Sequence, residues 1–318
     1  MPTGLVFDDI YLNHSLGPDH PESPMRLLAI RKILDNNGIV KELVWIPPVP
    51  DREVITQALL RVHSGSHINS IVKGGPKAEV IFSAVGGALA AVDAVMQGRI
   101  HNCFCAVRPP GHHAHNNGAH CDGWFQGEGF CFFNNIAVAA RYAQNQYGCK
   151  RILIGDWDFH HGNGTEWAFY DDPDVFYFST HALYSYPMTG FPNRLGKDKG
   201  YGCNLNVPLP AGAGDKAIIA AWRERLLPAL EKQSFKPDLI LISAGFDSRK
   251  DDYLGNFTVT DAGFRRLTEI ALQLADTYCN GRLVSVLEGG YNPAGQARGV
   301  YAHLKTMYEH NKIITMAS

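Results

Sequence analysis

Short apolar runs alternate with longer stretches of helical spacing along most of this chain. Runs at residues 5–7, 43–46, 103–107, 152–155, 175–178, 239–242 and 283–287 have the length and bulk of buried strands. Between them lie helical patterns. Ser23-Pro24 supplies an N-cap and first helical residue, Leu27, Leu28, Ile30, Ile33 and Leu34 follow at helical spacing, and Gly38 marks the stop. Further helices are predicted over 84–96, 135–147, about 215–233, about 261–278 and after Tyr291. Strands alternating with long helices imply an α/β fold with a parallel sheet covered on both faces. No linker, repeat or low-complexity segment interrupts the pattern, so residues 1–318 are expected to form a single domain.

Four of these strands run directly into polar, glycine-bearing clusters, at 108–113, 156–165, 243–247 and 288–291. All four clusters sit at carboxyl ends, the edge at which open α/β sheets bind ligands. In the second cluster, Asp158 and His160 are two residues apart and point to one side while the backbone stays extended. Taken alone, Asp156 to Thr165 would equally suit a solvated loop after a strand. Together with the other three strand ends it reads as part of a converged site.

Composition narrows the setting. The chain of 318 residues is 45% hydrophobic and 19% charged, which suits a globular protein able to bury a large core. A formal charge of −2 gives no reason to expect nucleic acid or an anionic membrane as partner. No run is read as approaching the ~18 apolar residues of a membrane span, and no signal-like core opens the chain. Seven scattered cysteines read as free thiols in a reducing compartment, and a cytoplasmic location is expected. His63 and His67 are expected to be structural.

The clusters can do chemistry together. Asp158, His160 and Asp247 could supply three ligands to a divalent metal and leave a position open, the arrangement of catalytic rather than structural sites. His112 and His113 are adjacent and cannot do identical jobs. One can act as general base while the other, bonded to a buried carboxylate, acts electrostatically. The phenol of Tyr291, on a glycine turn, could donate to the oxyanion of a tetrahedral intermediate. This set points to metal-assisted hydrolysis of a carbonyl substrate, most naturally an amide.

Five motifs, in order, carry a resemblance: Arg108 to His113, Gly129-Phe130-Cys131-Phe132-Phe133-Asn134-Asn135, Asp156 to Thr165, Ala244-Gly245-Phe246-Asp247 and Leu287-Glu288-Gly289-Gly290-Tyr291. They resemble the zinc-dependent histone deacetylase and acetylpolyamine amidohydrolase superfamily over nearly the whole chain. The resemblance implies the arginase–deacetylase α/β fold, a single domain with an eight-stranded, mostly parallel sheet flanked by helices. It implies Zn2+ on Asp158, His160 and Asp247, with Fe2+ as the alternative metal in the cell. His113 would be general base and then acid, His112 its electrostatic partner oriented by Asp156, and Tyr291 the group polarising the scissile carbonyl. A structural K+ would be held by Asp156, Asp158 and His160, partly through main-chain oxygens, with Ser179 and Thr180. Gly129 and Phe130 would form one wall of the acyl-lysine tunnel and Tyr186 the facing wall.

Asp156-Trp157-Asp158 and Asn163 are similar to the class II branch, in which a neutral amide at Asn163 leaves the second histidine less basic than a carboxylate would. The chain between His67 and Ala84 is shorter than in eukaryotic class II enzymes, and the rim residue that region supplies has no evident equivalent. The 114–128 segment is longer than usual and contains His115, His120, Cys121, Trp124 and Phe125. Three readings stand for it: a substrate-selecting lid, a second metal site on His115, His120 and Cys121, or a surface excursion with Trp124 packed down. Leu254 occupies the position where polyamine-selective relatives carry a glutamate, which disfavours a cationic substrate. The expected function is removal of acetyl or other acyl groups from the ε-amine of lysine or a related acylated amine. The alternatives are a small-molecule acetylpolyamine amidohydrolase, a non-catalytic acyl-lysine binding module, and arginase-type chemistry, which would need more aspartates. Oligomeric state is left open.

Overall fold

The computed structural model describes residues 2–117 and 128–317. Eight strands form one sheet: β1 (Thr3–Val6), β2 (Val44–Ile46), β3 (Asn102–Cys105), β4 (Ile152–Asp156), β5 (Val175–Ala182), β6 (Asn204–Leu209), β7 (Leu239–Ala244) and β8 (Leu283–Leu287). Their order is β2-β1-β3-β8-β7-β4-β5-β6, and every pairing is parallel rather than mostly so. Strands β1, β3, β4, β5, β7 and β8 are buried at every residue, as a parallel sheet covered on both faces requires.

The ten α-helices of the described residues are α1 (Met25–Asn36), α2 (Arg52–Leu59), α3 (Gly65–Val72), α4 (Pro76–Met96), α5 (Asn135–Tyr147), α6 (Asn163–Phe169), α7 (Asp215–Ala221), α8 (Leu227–Lys232), α9 (Asp261–Cys279) and α10 (Pro293–Ala317). One layer packs α1 on α10, α10 on α9 and α9 on α7, while α4, α5, α2 and α6 pack together in the other. The strands whose ends carry the four clusters, β3, β8, β7 and β4, are the four neighbours at the centre of the sheet. That adjacency is why loops distant in sequence can meet. The crossover from β3 to β4 passes two strands that the chain fills only later, and this switch leaves the crevice in which they converge.

Several sequence expectations change in detail. Ser23 does not cap α1; Pro24 holds the N-cap position without a side-chain bond. Helix α4 begins at Pro76, eight residues before the small-residue run that announces it, so the segment after His67 is two helices joined by a short turn and not a rim loop. Contrary to the expectation of no membrane-length run, α4 is by length and composition long and apolar enough to cross a bilayer. It is apolar on most sides because it is buried inside the protein. The helix expected over 215–233 is interrupted by a π-helical turn, Trp222–Leu226, which drives the fully buried Trp222 indole against Trp157 and Phe178. His63 and His67 are structural as expected. His63 Nδ1 lies 2.9 Å from the carbonyl of His115 and its Nε2 accepts from the Asn134 amide, while His67 Nε2 reaches the carbonyl of Phe132.

A buried charge cluster ties the N-terminal region to the strand ends. Glu22 bonds Arg108 and lies 3.1 Å from Arg26, and all three side chains are fully buried. Arg26 in turn donates to the carbonyls of Glu288 and Gly290, so the turn before Tyr291 hangs on this helix. Arg108 also donates to the carbonyls of Tyr11 and His14. Burial alone would raise the Glu22 carboxyl, but Arg108 and Arg26 outweigh it and hold it below the ordinary range. Removing one partner of such a cluster strands buried charge, at a cost of about 3–5 kcal/mol. Glu22→Gln is therefore expected to lower stability by about that much at pH 7, read by urea unfolding. Because the folded-state pKa lies below the unfolded one, the contribution is complete at neutral pH. It is lost as pH falls below about 4.3 towards the folded value, so the gap between variant and parent should narrow at pH 3.5. An equal gap at both pH values would refute the assignment.

Candidate metal and catalytic site

Asp156 ends β4 fully buried, with its two oxygens divided between loop and histidine. Oδ1 accepts from the Asp158 amide at 3.0 Å; Oδ2 accepts from His112 Nδ1–H at 3.0 Å and from the Tyr177 hydroxyl at 3.1 Å. Glu288, at the end of β8, fixes the neighbouring main chain by accepting from the amides of Gly111 and His112. The His112 ring is thus held by Asp156 and its main chain by Glu288. Burial would lower its pKa, but the carboxylates of Asp158 and Asp156 override this and raise it to about 10.

His113 lies against it, with ring centroids 4.1 Å apart, yet its surroundings act in the opposite sense. Its Nδ1–H donates to Asn163 Oδ1 at 2.7 Å, which leaves Nε2 as the acceptor nitrogen. Burial, followed by the neighbouring His112 and His160, holds its pKa well below the ordinary histidine value. Two adjacent imidazoles are thereby driven apart, His112 towards the charged form and His113 towards the neutral one.

Asp158, His160 and Asp247 meet in the crevice, and one potential ligand atom from each falls within 4.8 Å of the others. His160 Nδ1 lies 2.9 Å from Asp247 Oδ2 and 3.3 Å from Asp158 Oδ1. Backbone donors aim the carboxylates: Phe159 N binds Asp247 Oδ1, and Gly289 N binds Asp158 Oδ2. A side chain at Gly289 would overlap the facing oxygens of both aspartates, so only glycine lets this amide approach. Burial and the charge of Asp158 push the Asp247 carboxyl up to about 7. Burial also raises Glu288 to about 7, helped by Asp156 and Asp158 and opposed by His112. The crevice is short of positive charge.

Tyr291 reaches this centre from the β8 turn, its ring edge-on to Phe130 at 5.8 Å and beneath the Arg26 guanidinium. Burial, then the charge of Asp247, raise its phenol well above the ordinary value, so the hydroxyl stays protonated as a donor. Asp252 fastens the turn: one oxygen accepts from the amides of Tyr291 and Asn292, the other from those of Leu254 and Gly255.

The predicted walls divide around the centre. Phe130 adopts φ +68°, with its ring 4.5 Å from His20, while Tyr186 places its half-exposed ring 5.1 Å from His113 and 6.2 Å from His160. Gly129, the other residue expected in this wall, is partly exposed beside the His113 ring. It sits at φ +51°, where a side chain would collide with the His113 ring. Leu254 is half-exposed, and its main-chain amide donates to Asp252, which also holds the turn of Tyr291. Of the potassium set, Asp156 and Ser179 are register partners of β4 and β5, and the Thr180 hydroxyl donates to the Asp156 carbonyl. Ser179 Oγ lies 2.8 Å from His181 Nδ1.

Of the residues proposed for a second metal, His120 and Cys121 lie outside the described residues, as do Trp124 and Phe125. His115 is described, and its Nε2 takes the Asn163 side-chain nitrogen at 2.9 Å, with Glu128 3.3 Å away. Sequence reasoning missed Glu22, Arg26 and Asp252 altogether, and took Glu288 only as motif. Their signal is faint: a carboxylate four residues before an arginine, and an acidic residue in a loop.

The comparisons with known proteins agree with this geometry. Residues 20–307 match the model of the histone deacetylase domain. The chain is 36% identical over 311 residues to a probable deacetylase of Archaeoglobus fulgidus, covering 93% of this chain and 83% of that protein. It is 35% identical over 328 residues to a histone deacetylase-like amidohydrolase of Pseudomonas aeruginosa, covering 92% and 82%. The plant and fungal relatives are longer, and the aligned part spans only 40% to 57% of them. Among solved structures, the HDA15 HD domain superposes with a TM-score of 0.86 at 34% identity, covering 97% of this chain and 88% of that one. Eight parallel strands between two helical layers, the buried Asp-His-Asp group and a match across nearly the whole length lead to one conclusion: the chain belongs to the histone deacetylase family.

Proposed function

We propose that this deacetylase hydrolyses the acyl amide of ε-N-acetyl-lysine or a closely related acylated amine at the centre formed by Asp158, His160 and Asp247. The observation that carries the reading is the division of labour between His112 and His113 around three convergent metal-ligand atoms. One imidazole nitrogen and two carboxylate oxygens are ordinary Zn2+ donors, and two buried carboxylates sharing one imidazole call for a cation. Asp158, His160 and Asp247 would hold that ion, which when bound polarises a carbonyl oxygen and lowers the pKa of water to about 7.

The remaining steps belong to the chain's own side chains. His113 Nε2, unprotonated because Nδ1–H is committed to Asn163, takes the proton of the attacking water and returns it to the leaving amine. His112, whose charged form is favoured by its bond to Asp156, offsets negative charge as it develops. The Tyr291 hydroxyl donates to the oxyanion, and Phe130 and Tyr186 flank the aliphatic part of the substrate. Fe2+ suits the same donors, and the metal content of protein isolated from cells decides between the two. A structural K+ on Asp156, Ser179 and Thr180 and the main chain of Asp158 and His160 is part of the same proposal. The fully buried oxygens of that strand pair suit a hard cation.

Tyr291→Phe removes one hydroxyl and no packing. Its kcat is expected to fall about 10²–10³-fold with metal content and thermal midpoint unchanged; unaltered turnover would exclude the oxyanion role.

The half-exposed, apolar Leu254 offers no anionic partner to a charged amine, which favours acyl-lysine in a peptide over acetylated polyamines. With zinc-reconstituted protein, kcat/KM on an acetyl-lysine peptide is expected to exceed that on N-acetylputrescine by at least about tenfold. The reverse ranking would make the chain a small-amine amidohydrolase.

A further inference from the structure

The general-base histidine depends on which end of an amide faces it. A carboxamide presents an acceptor and a donor of nearly equal shape. With Asn163 Oδ1 on His113 Nδ1, the histidine proton stays on Nδ1 and Nε2 is free to accept. With the amide turned over, its NH2 would face Nδ1, the proton would move to Nε2, and the base would be blocked. A charged aspartate would not have this ambiguity, since both its oxygens accept.

The partner of the other amide end is His115. Asn163 Nδ2 lies 2.9 Å from His115 Nε2, and the Glu128 carboxylate stands 3.3 Å beyond the same nitrogen. His115 and Glu128 are both buried, and the His115 ring packs on Trp167 at 5.7 Å. The main chain that carries the ring is fixed as well: the His115 carbonyl meets His63 Nδ1, and the next carbonyl, of Asn116, accepts from the Ser64 amide. The lone pair of His115 Nε2 therefore faces the donor end of the amide, and the hydrogen-bonded series runs His113–Asn163–His115.

We propose that His115 is a positioning residue that selects the amide orientation of Asn163 and thereby the productive tautomer of His113. Among the described residues the His115 side chain meets Asn163, Glu128 and Trp167 rather than Asp158, His160 or Asp247. What matters at position 115 is whether the side chain offers Asn163 an acceptor. This inference rests on His113 being the base, and the experiment keeps the two apart.

His115→Gln offers a carbonyl to Asn163 and an amide N–H to Glu128, so kcat should stay within a few-fold of the parent. His115→Lys offers only donors and pairs with Glu128. It should turn the Asn163 amide over and lower kcat by between about ten- and hundredfold, with KM for an acetyl-lysine peptide and zinc content unchanged. The discriminating measurement is the same substitution in an Asn163→Asp background, where either oxygen accepts: there His115→Lys should cost almost nothing. Should His115→Lys not fold, the apolar His115→Met takes its place, with the same fall in kcat and the same recovery with Asn163→Asp. Equal kcat for the Gln and Lys variants, or a cost that persists with Asn163→Asp, overturns the proposal. Activity surviving in His113→Ala would instead overturn the reading of His113 as base.

Discussion

The structure depends on a surplus of buried negative charge at the carboxyl edge of its sheet. Asp156, Asp158, Asp247 and Glu288 are all fully buried at the carboxyl ends of three adjacent strands, β4, β7 and β8. Isolated carboxylates in such a place would cost many kcal/mol and would protonate instead. Each is therefore supplied with donors: loop amides for every one, His112 for Asp156, and His160 for the two metal-ligand aspartates. These donors do not balance the charge, as the raised pKa values of Asp247 and Glu288 indicate. A bound divalent ion is the natural completion, so the same imbalance that strains the fold creates the affinity of the site.

Distance in sequence is overcome by the strand order. Loops after β3 and β4 are separated in the sheet by β8 and β7, which the chain adds only after making β5 and β6. Each late strand brings one missing component, Asp247 from β7 and Tyr291 from β8. The turn carrying Tyr291 would be loose on its own. Arg26, reaching from the first helix to the carbonyls of Glu288 and Gly290, and Asp252, accepting four main-chain amides, clamp it from two directions. The buried arginine is held in turn by Glu22, so the N-terminal region helps position a group almost at the other end of the chain.

Much of this was legible in the sequence, and for a physical reason. Helices α5 and α9 and six inner strands follow hydrophobic patterns that burial enforces residue by residue. Metal-ligand and catalytic residues lie in short motifs at strand ends, where position alone implies convergence. Strand β6 escaped notice because Asn204, Asn206 and Pro208 break its apolar pattern. It is an edge strand, where proline is tolerated, and its asparagines serve the buried Glu166. The Glu22–Arg26–Arg108 cluster was equally hidden. Charged residues at a helix start ordinarily face water, and only the folded chain reveals that these are buried against partners far away in sequence.

The paired histidines show how far identical side chains can be separated by surroundings. Both rings are buried and nearly in contact, so desolvation opposes charge on each. His112 faces two carboxylates and overcomes that penalty, whereas His113 faces a neutral amide and the neighbouring His112. Charging His112 thus helps to keep His113 neutral, and the pair behaves as one device with a fixed cation and a free base. Replacing the amide of Asn163 with a carboxylate would weaken that separation by favouring charge on both rings. The uncharged side chain at this position is therefore part of the chemistry, and it brings a requirement that a carboxylate would not have. The two ends of the amide must be told apart, and the structure does so with groups outside the reacting centre.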